Sequence, residues 1–256
     1  MNVIILKFSE QNSSGESVET TFIRKMHDQR IAIIHDVKRM LKYYQALGFD
    51  NLPLSATPFL NTPTGSAVSK NDGLKNVREE IGDCQRCKLS KGRKNIVFGA
   101  GNADARIMFI GEAPGRDEDI QGEPFVGEAG MLLTKLIEKM GFKRDAVYIA
   151  NIIKCRPPLN RDPEEDEIVS CRVFLDKQID VIAPECIITL GRIALMTLIN
   201  NNKIRITAAR GNFFEYKGIP VMPTFHPAYL LRNPKDKWLT WADVQKVMER
   251  IQNTNS

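Results

Sequence analysis

After residue 100, short runs of apolar residues alternate with longer segments of mixed character. Four of the runs are rich in Ile, Val and Phe and have the length of β-strands: residues 106–110, 147–153, 186–190 and 219–224. A run that is apolar throughout is typical of a strand buried on both faces, as in a parallel sheet. We therefore predict an α/β fold with three layers, αβα, around a central, mostly parallel four-stranded sheet.

The segments between these runs place apolar residues at helical spacing. They predict helices over residues 131–140, over residues 163–179 and, in shorter form, after Gly191. Asp162 is the expected N-cap of the second helix, with Pro163 in its first turn. A C-terminal helix is expected to pack one apolar stripe against the core, formed by Trp238, Trp241, Val244, Met248 and Ile251.

The first 75 residues are organised differently. Apolar residues at three- and four-residue spacing predict one amphipathic helix over residues 31–48, with Gly48 as a suitable stop. Residues 51–75 are rich in Pro, Ser, Thr, Asn and Gly, a composition that disfavours regular hydrogen-bonded structure. We predict an N-terminal helical extension over residues 1–50, a flexible linker over residues 51–75 and the main domain over residues 76–256.

The composition, 43% hydrophobic and 26% charged among 256 residues, is that of a soluble globular protein. The apolar run at residues 3–6 is too short for a signal peptide or a membrane helix, so we expect a cytoplasmic protein with no membrane association. A net charge of +5 is compatible with a polyanionic partner but does not identify one. We expect a monomer.

Four of the five cysteines are candidates for one metal centre. Cys84 and Cys87 form a C-x2-C pair, Cys155 lies at a predicted strand end, and Cys171 follows on a predicted helix. In a reducing cytosol, metal ligation explains such cysteines better than disulfides do. The spacing alone fits a tetrahedral zinc or a cubane iron–sulfur cluster, and scattered buried cysteines are the alternative to both. Cys186 lies within an apolar run and is expected to be an inert core thiol.

A glycine-rich segment follows the first predicted strand. It reads GEAPGRDED over residues 111–119 and continues with GEPFVG over residues 122–127. Glycines at the carboxyl end of a strand let a ligand approach the backbone, and open α/β sheets bind substrates at that edge. The segment has neither the Gly-Lys-Ser/Thr of a phosphate-binding loop nor the G-x-G-x-x-G of a dinucleotide site.

The chain resembles the family 4 uracil-DNA glycosylases over about residues 76–250. Seven features follow one another in the family's order and at approximately its spacing: GEAPGRDED, GEPFVGEAGMLL, NIIKCRPPLNRDP, the helix ending in Cys171, LGRIAL, RG and HPAYLLRNP. The resemblance implies a uracil-DNA glycosylase-like fold and an enzyme that flips uracil out of single- or double-stranded DNA and hydrolyses its glycosidic bond, which initiates base excision repair. It also implies a [4Fe–4S] cluster held by Cys84, Cys87, Cys155 and Cys171.

The resemblance assigns Gly111, Ala113, Phe125, Asn151 and His226 to a uracil pocket. Phe125 would stack on the base, and Asn151 would pair with uracil N3–H and O4, a pattern that cytosine reverses. His226 would donate to O2 as negative charge develops on the departing base. From the residues alone, a core phenylalanine, a structural amide and a packed histidine remain alternatives.

The resemblance also implies that two carboxylates, Glu112 and Glu118, lie near the sugar, where they would orient a water and stabilise positive charge. We expect Glu118 to position the water and Glu112 to have a supporting role. The alternative for the acidic run around Glu118 is a solvated turn or a helix cap.

Two further segments are candidates for DNA binding. Residues 229–232 resemble the family's wedge, in which an apolar side chain fills the space of the flipped nucleotide and Arg232 contacts phosphate. The wedge comprises Tyr229, Leu230, Leu231 and Arg232. Residues 86–94 carry five basic side chains that would bind the DNA backbone or form an ordinary solvated surface.

Other members of the uracil-DNA glycosylase superfamily suggest alternative functions, which the sequence can be compared with. Glu112 is typical of family 4, whereas relatives with a broader base range have an apolar residue there. A variant that traps uracil covalently needs a histidine after the Asn151 strand, and none lies between Asn151 and His226. The alternative functions are an inactive cluster-bearing DNA-binding protein and a glycosylase for other deaminated bases.

Overall fold

The core of the fold is one six-stranded sheet, seen in a computed structural model that describes residues 69–253. Its strands are β1 (Ala100–Gly101), β2 (Ile107–Gly111), β3 (Tyr148–Asn151), β4 (Cys186–Leu190), β5 (Phe214–Tyr216) and β6 (Ile219–Thr224). They are ordered β1-β3-β2-β4-β6-β5. The four central strands are parallel, as predicted, while β1 and β5 add short antiparallel edges.

Within residues 69–253, eight α-helices connect and cover these strands. They are α1 (Lys70–Ile81), α2 (Arg116–Gln121), α3 (Glu128–Lys139), α4 (Glu165–Ile182), α5 (Arg192–Leu198), α6 (Ile206–Ala209), α7 (Pro227–Arg232) and α8 (Lys237–Asn253). Short 3-10 turns occupy Lys88–Lys91, Arg144–Ala146, Pro158–Asn160 and Pro234–Asp236. None of the helices in the described part of the chain combines the length and apolar character needed to cross a bilayer.

The alternation of side chains along the strands produces the three layers. On β2, Met108 and Ile110 pack in one cluster with Leu175 of α4 and Leu195 of α5. Ile107 and Phe109, which point to the opposite face, pack with Leu133 of α3 and Val244 of α8. Both faces of the sheet are therefore buried, which explains why its strands are apolar throughout. The αβα prediction is confirmed.

The beginnings of two helices differ from the prediction. Helix α1 begins at Lys70, where the Ser69 hydroxyl accepts the Asp72 N–H at 3.1 Å, so residues 70–75 are helical rather than part of a linker. Helix α4 begins at Glu165 with Glu164 as its N-cap, and Asp162 is not the cap. The Glu167 carboxylate accepts the Glu164 N–H at 2.8 Å and closes this end.

The C-terminal stripe is only partly core. Val244 and Ile251 are buried, and Trp241 and Met248 pack against the same cluster. Trp238 is 67% exposed, so its inclusion in the core stripe was wrong. The predicted helix over residues 31–48 and the linker up to residue 68 lie outside the described residues.

A buried ion pair supports the end of β6. Asp243 of α8 is 1% exposed and pairs with Arg210, which donates from Nε at 3.0 Å. The same carboxylate accepts the Thr224 hydroxyl at 2.7 Å. Gly211 has φ +77°, and a Cβ there would lie 2.8 Å from Asp243 Oδ1. The Arg-Gly pair thus allows α8 to approach the end of the strand.

Replacing Arg210 by Ala should lower the free energy of unfolding by about 3–5 kcal/mol, because it leaves the Asp243 carboxylate buried without its cation. Urea denaturation measures the change. Lys177→Ala is the control: it removes a pair with Glu80 whose side chains are 41% and 43% exposed, and should change stability by at most about 1 kcal/mol. Equally small changes in both variants would contradict the role of Arg210.

Candidate active site

A cavity of about 460 Å³ opens where the parallel strands end. Six of the seven residues predicted for catalysis or uracil binding line it: Glu112, Ala113, Glu118, Phe125, Asn151 and His226. They come from the ends of β2, β3 and β6, from α2 and from the loop between α2 and α3. The carboxyl ends of parallel strands meet at one edge of a sheet, which brings residues distant in sequence together.

Gly111 provides the space for two of these side chains. It is the residue paired with Asn151 across β2 and β3. A Cβ at Gly111 would lie 2.4 Å from Asn151 Oδ1 and 2.5 Å from Phe125 Cζ. Any side chain at this position would therefore displace the amide, the ring or both.

Asn151 is the least satisfied polar group of the cavity. The residue is 1% exposed, and within residues 69–253 neither its Oδ1 nor its Nδ2 has a hydrogen-bond partner. A buried polar atom without a partner costs about 1–3 kcal/mol. A ligand that offers both a donor and an acceptor in the cavity would remove this cost.

Phe125 has a strained backbone held from two sides. Its φ is +53°, in the left-handed region that favours glycine. Arg144 donates from Nη2 to the carbonyl oxygens of Pro124 at 2.6 Å and Phe125 at 3.0 Å. Gly130 in α3 packs on the other side, where a Cβ would lie 1.9 Å from the Phe125 carbonyl oxygen. These contacts fix the buried ring beside His226, with 5.7 Å between ring centroids.

His226 is held in one neutral form. Its Nδ1 accepts the Ala228 N–H at 3.1 Å, which leaves the proton on Nε2. Burial, and then repulsion from Arg232, lower the His226 pKa to about 4, and Glu118 partly opposes this shift. At neutral pH the residue is therefore an uncharged imidazole with an Nε2–H donor.

The Glu118 carboxylate binds the backbone of its own loop. Oε1 accepts the N–H groups of Val126 at 2.9 Å and Gly127 at 3.0 Å, and Oε2 accepts that of Gly115 at 3.2 Å. These bonds join the start of α2 to the segment that carries Phe125. Three of the carboxylate's acceptor positions are thus used by the protein.

Glu112 has a different environment. Burial, followed by repulsion from Asp162, raises the pKa of its carboxyl group to about 7, while attraction to Arg192 opposes both. Arg192 and Asp162 form an ion pair at 3.2 Å. Glu112 therefore changes its charge near neutral pH, as groups that transfer protons often do.

The four residues of the expected wedge all lie on α7, but their side chains have different surroundings. Tyr229 and Arg232 line the cavity, and Tyr229 donates from its hydroxyl to Asp236 at 2.7 Å. Leu231 is exposed, but Leu230 is 4% exposed and packs in an apolar pocket with Leu133 and Trp241. Leu230 would have to leave that pocket to contact DNA, and its assignment to the wedge stays a prediction.

Sequence reasoning gave no role to Asn160 and Arg161, which also line the cavity. Arg161 makes a two-pronged pair with Glu167, at 2.9 and 2.6 Å, and the Glu167 side chain is fully buried. Both cavity residues belong to the motif NIIKCRPPLNRDP, so the signal was present in the sequence.

The four candidate ligands Cys84, Cys87, Cys155 and Cys171 line one small cavity. Three of their sulfurs accept hydrogen bonds: from Arg86 at 3.3 Å, from Arg93 at 3.6 Å and from the Lys154 N–H at 3.2 Å. Burial raises the thiol pKa of both Cys155 and Cys171. As arranged, no group of three or more His, Cys, Asp or Glu among the described residues could hold a single metal ion. Cys186 lies apart from the four, fully buried in β4.

The basic segment 86–94 is largely engaged within the protein. Lys88 pairs with Glu164 and, at 3.2 Å, with Asp166. Arg93 pairs with Asp83 at 2.6 Å, and Arg86 lies over the Phe174 ring at 4.8 Å. Three of its five cations therefore have a structural task, which reduces the segment's capacity to bind phosphates.

Comparison with known proteins adds an independent finding. A family model described as the uracil DNA glycosylase superfamily matches residues 98–249. The chain is 48% identical over 188 residues to the type-4 uracil-DNA glycosylase of Saccharolobus solfataricus, which covers 70% of this chain and 87% of the relative. Proteins of the same name from Sulfurisphaera tokodaii and Thermotoga maritima are 47% and 46% identical, covering 70% and 68% of this chain and 84% and 93% of the relatives. These matches are consistent with the cavity at the strand ends and with the four cysteines beside one another. The chain belongs to the type-4 uracil-DNA glycosylases.

Proposed function

We propose that this protein removes uracil from DNA by hydrolysing the bond between the base and deoxyribose, the first step of base excision repair. Membership in the type-4 family supports the activity. The observation that carries the assignment of the site is the unpaired amide of Asn151, buried in a cavity beside an aromatic ring and a neutral histidine.

The base that this site would recognise follows from the hydrogen-bond partners that the Asn151 amide lacks. Uracil presents an N3–H donor next to the O4 acceptor, which matches an amide oxygen and an amide NH₂ group. Cytosine presents an acceptor and a donor in the reverse order, so it would leave buried groups unpaired at about 1–3 kcal/mol each. Phe125 would stack on the base and offset part of the unstacking cost, by about 1–3 kcal/mol.

His226 would stabilise the departing base. As the glycosidic bond lengthens, negative charge develops on uracil, and a fixed donor near O2 is stronger in the transition state than in the ground state. The Nε2–H of His226 is such a donor, because Nδ1 is occupied by the Ala228 N–H. Its low pKa keeps the imidazole neutral, so it donates without first gaining a proton.

We assign the positioning of the attacking water to Glu112 rather than to Glu118, which is the reverse of the expectation from the sequence. The Glu118 carboxylate already accepts three backbone N–H groups and orders the loop that carries Phe125. Glu112 lines the cavity, and its pKa of about 7 makes its carboxylate a stronger base than an ordinary one. As a carboxylate it would orient the water and stabilise positive charge on the sugar.

DNA is the proposed partner, in both single- and double-stranded form, and the protein is proposed to act as a monomer. Leu231 and Arg232, exposed on α7 at the cavity, are the residues proposed to contact the DNA around the flipped nucleotide. Tyr229, on the same helix, also lines the cavity.

We further propose a [4Fe–4S] cluster held by Cys84, Cys87, Cys155 and Cys171. A single zinc would need four sulfurs about 2.3 Å from one point, whereas a cluster places a separate iron against each sulfur and accepts a wider arrangement. The convergence of four cysteines on one cavity fits the wider arrangement. Arg86, Arg93 and the Lys154 N–H already donate to three of the sulfurs, which would stabilise their negative charge. The cluster would join the chain around Cys84 to β3 and α4.

An excision assay on oligonucleotides tests the proposed function. The protein should release uracil from single- and double-stranded DNA, and His226→Ala should slow excision by about a hundred- to a thousandfold while DNA binding changes little. Trp238→Ala, which removes an exposed ring outside the cavity, is the control and should keep full activity. Binding without release of any base would indicate an inactive DNA-binding protein. Preference for hypoxanthine or xanthine would indicate another deaminated base as substrate.

The pH dependence of kcat/KM tests the role of Glu112. Because its pKa is about 7 and only the carboxylate orients the water, kcat/KM should fall about tenfold per pH unit below that value. Glu112→Gln should be slow at every pH and lack this dependence, whereas the exposed Glu138→Gln should retain it. If Glu118→Gln removes the acid limb and Glu112→Gln does not, the assignment is reversed.

Protein stability offers a second readout for the same residue. The folded-state pKa of Glu112, about 7, lies above its ordinary value of 4.5. Ionisation therefore destabilises the fold as pH rises from about 4.5 through 7. As pH rises over this window, the free energy of unfolding of Glu112→Gln should increase relative to that of the unsubstituted protein. A difference between the two that does not change with pH would mean that the pKa of the carboxyl group is not raised.

Metal analysis tests the cluster. Protein purified without oxygen should contain about four iron atoms per chain and absorb visible light. Cys84→Ser should lose iron and thermal stability, whereas Cys186→Ala, which removes a core thiol outside the set, should keep its iron. One zinc per chain, or equal iron in both variants, would contradict the proposed ligand set.

A further inference from the structure

The most exposed large apolar side chain among the described residues lies beside the active-site cavity. Leu159 is 97% exposed, whereas Val169 and Trp238, the next most exposed, reach 70% and 67%. Single exposed leucines are common on protein surfaces and need no explanation by themselves. What distinguishes Leu159 is its position, directly before the cavity-lining residues Asn160 and Arg161, and the way its loop is built.

The loop is rigid and strained. Pro157 and Pro158 fix its entry, and Leu159 and Asn160 both have left-handed backbones, with φ of +54° and +55°. Each such non-glycine residue costs on the order of 1 kcal/mol or more. The Asn160 N–H donates to the Pro157 carbonyl oxygen at 3.1 Å, and the Asn160 side chain accepts the Arg156 Nε–H at 2.8 Å. The side chain of Leu159 is therefore held outward by a turn that cannot easily relax.

The loop is also anchored at its far end. Arg161 pairs through both terminal nitrogens with Glu167, whose side chain is fully buried at the start of α4. The Arg161 N–H donates to the Pro158 carbonyl oxygen at 3.2 Å. A strained turn fixed by a buried ion pair is a costly way to keep a leucine in water, unless the leucine is covered when the protein acts.

We infer that Leu159 is a second apolar wedge, which enters the base stack of double-stranded DNA beside the nucleotide flipped into the cavity. The inference rests on the proposed function. The loop of Asn160 and Arg161 and the α7 segment of Tyr229 and Arg232 both line the cavity, so a duplex presenting its nucleotide there meets both. Leu231 is exposed on α7 and Leu159 on the strained loop. The duplex is thus contacted by an apolar side chain from each segment.

The charge beside Leu159 favours contact with DNA. Arg156 is partly exposed and uses its Nε on Asn160, and within the described residues its two Nη groups remain for phosphate contacts. Burying a leucine side chain contributes about 1.5–3 kcal/mol, comparable with the few kcal/mol needed to unstack a base step. In single-stranded DNA no continuous stack needs to be opened, so the contribution of Leu159 should be confined to duplex substrates.

Single-turnover excision by Leu159→Ala measures this contribution. The variant should lose at least about tenfold in rate on uracil in a duplex and change less than about twofold on the same uracil in a single strand. Leu159→Met, which keeps an apolar side chain of similar size, should restore most of the duplex rate. Val169→Ala, which shortens an exposed side chain on α4 outside the cavity, is the matched control and should excise both substrates normally.

A fluorescent base analogue next to the uracil gives a direct readout of unstacking. In duplex DNA, 2-aminopurine fluorescence should rise on binding of the unsubstituted protein and rise less with Leu159→Ala. Equal losses on both substrates, an unchanged duplex rate or an unchanged fluorescence rise would each overturn the inference. The proposed function would fail differently, because the unsubstituted protein would then release no uracil from either substrate.

Discussion

The site depends on the parallel register of β2 and β3, which pairs Gly111 with Asn151 at the edge of the sheet. Because Gly111 has no side chain, the Asn151 amide and the Phe125 ring occupy the space where its Cβ would lie. A shift of the register by one residue would turn Asn151 to the other face of the sheet. In the proposed function, recognition of uracil would therefore depend on strand pairing as much as on the asparagine itself.

The same segment of chain links the active site to the cysteines. After Asn151, the N–H groups of Ile152 and Ile153 donate to the carbonyl oxygens of Gly111 and Glu112, at 2.9 and 3.2 Å. Lys154 is fully buried and donates from Nζ to the Asn151 carbonyl oxygen at 2.9 Å, while its N–H donates to Cys171 Sγ at 3.2 Å. In the proposed function, a cofactor bound at the cysteines would thus hold in place the segment that carries Asn151 and pairs with Glu112.

The sequence predicted the elements whose apolar pattern is determined by burial, and it was less informative where single side chains choose between partners. The four central strands were found because both faces of the sheet are covered. The edge strands β1 and β5, with two and three residues, are too short to carry a pattern. The bonds of Glu118 to three backbone N–H groups depend on how its loop folds back, which no spacing shows. Likewise, Leu230 and Leu231 are neighbours of equal hydrophobicity, and only the packing of α7 buries one and exposes the other.

A crystal structure of the protein with free uracil tests the central claim most directly. The account predicts uracil against the Phe125 ring, with N3–H donating to Asn151 Oδ1, Asn151 Nδ2 donating to O4 and His226 Nε2 donating to O2. It would be contradicted by uracil bound elsewhere, or by an Asn151 amide whose two polar atoms are paired with protein groups while the base contacts neither.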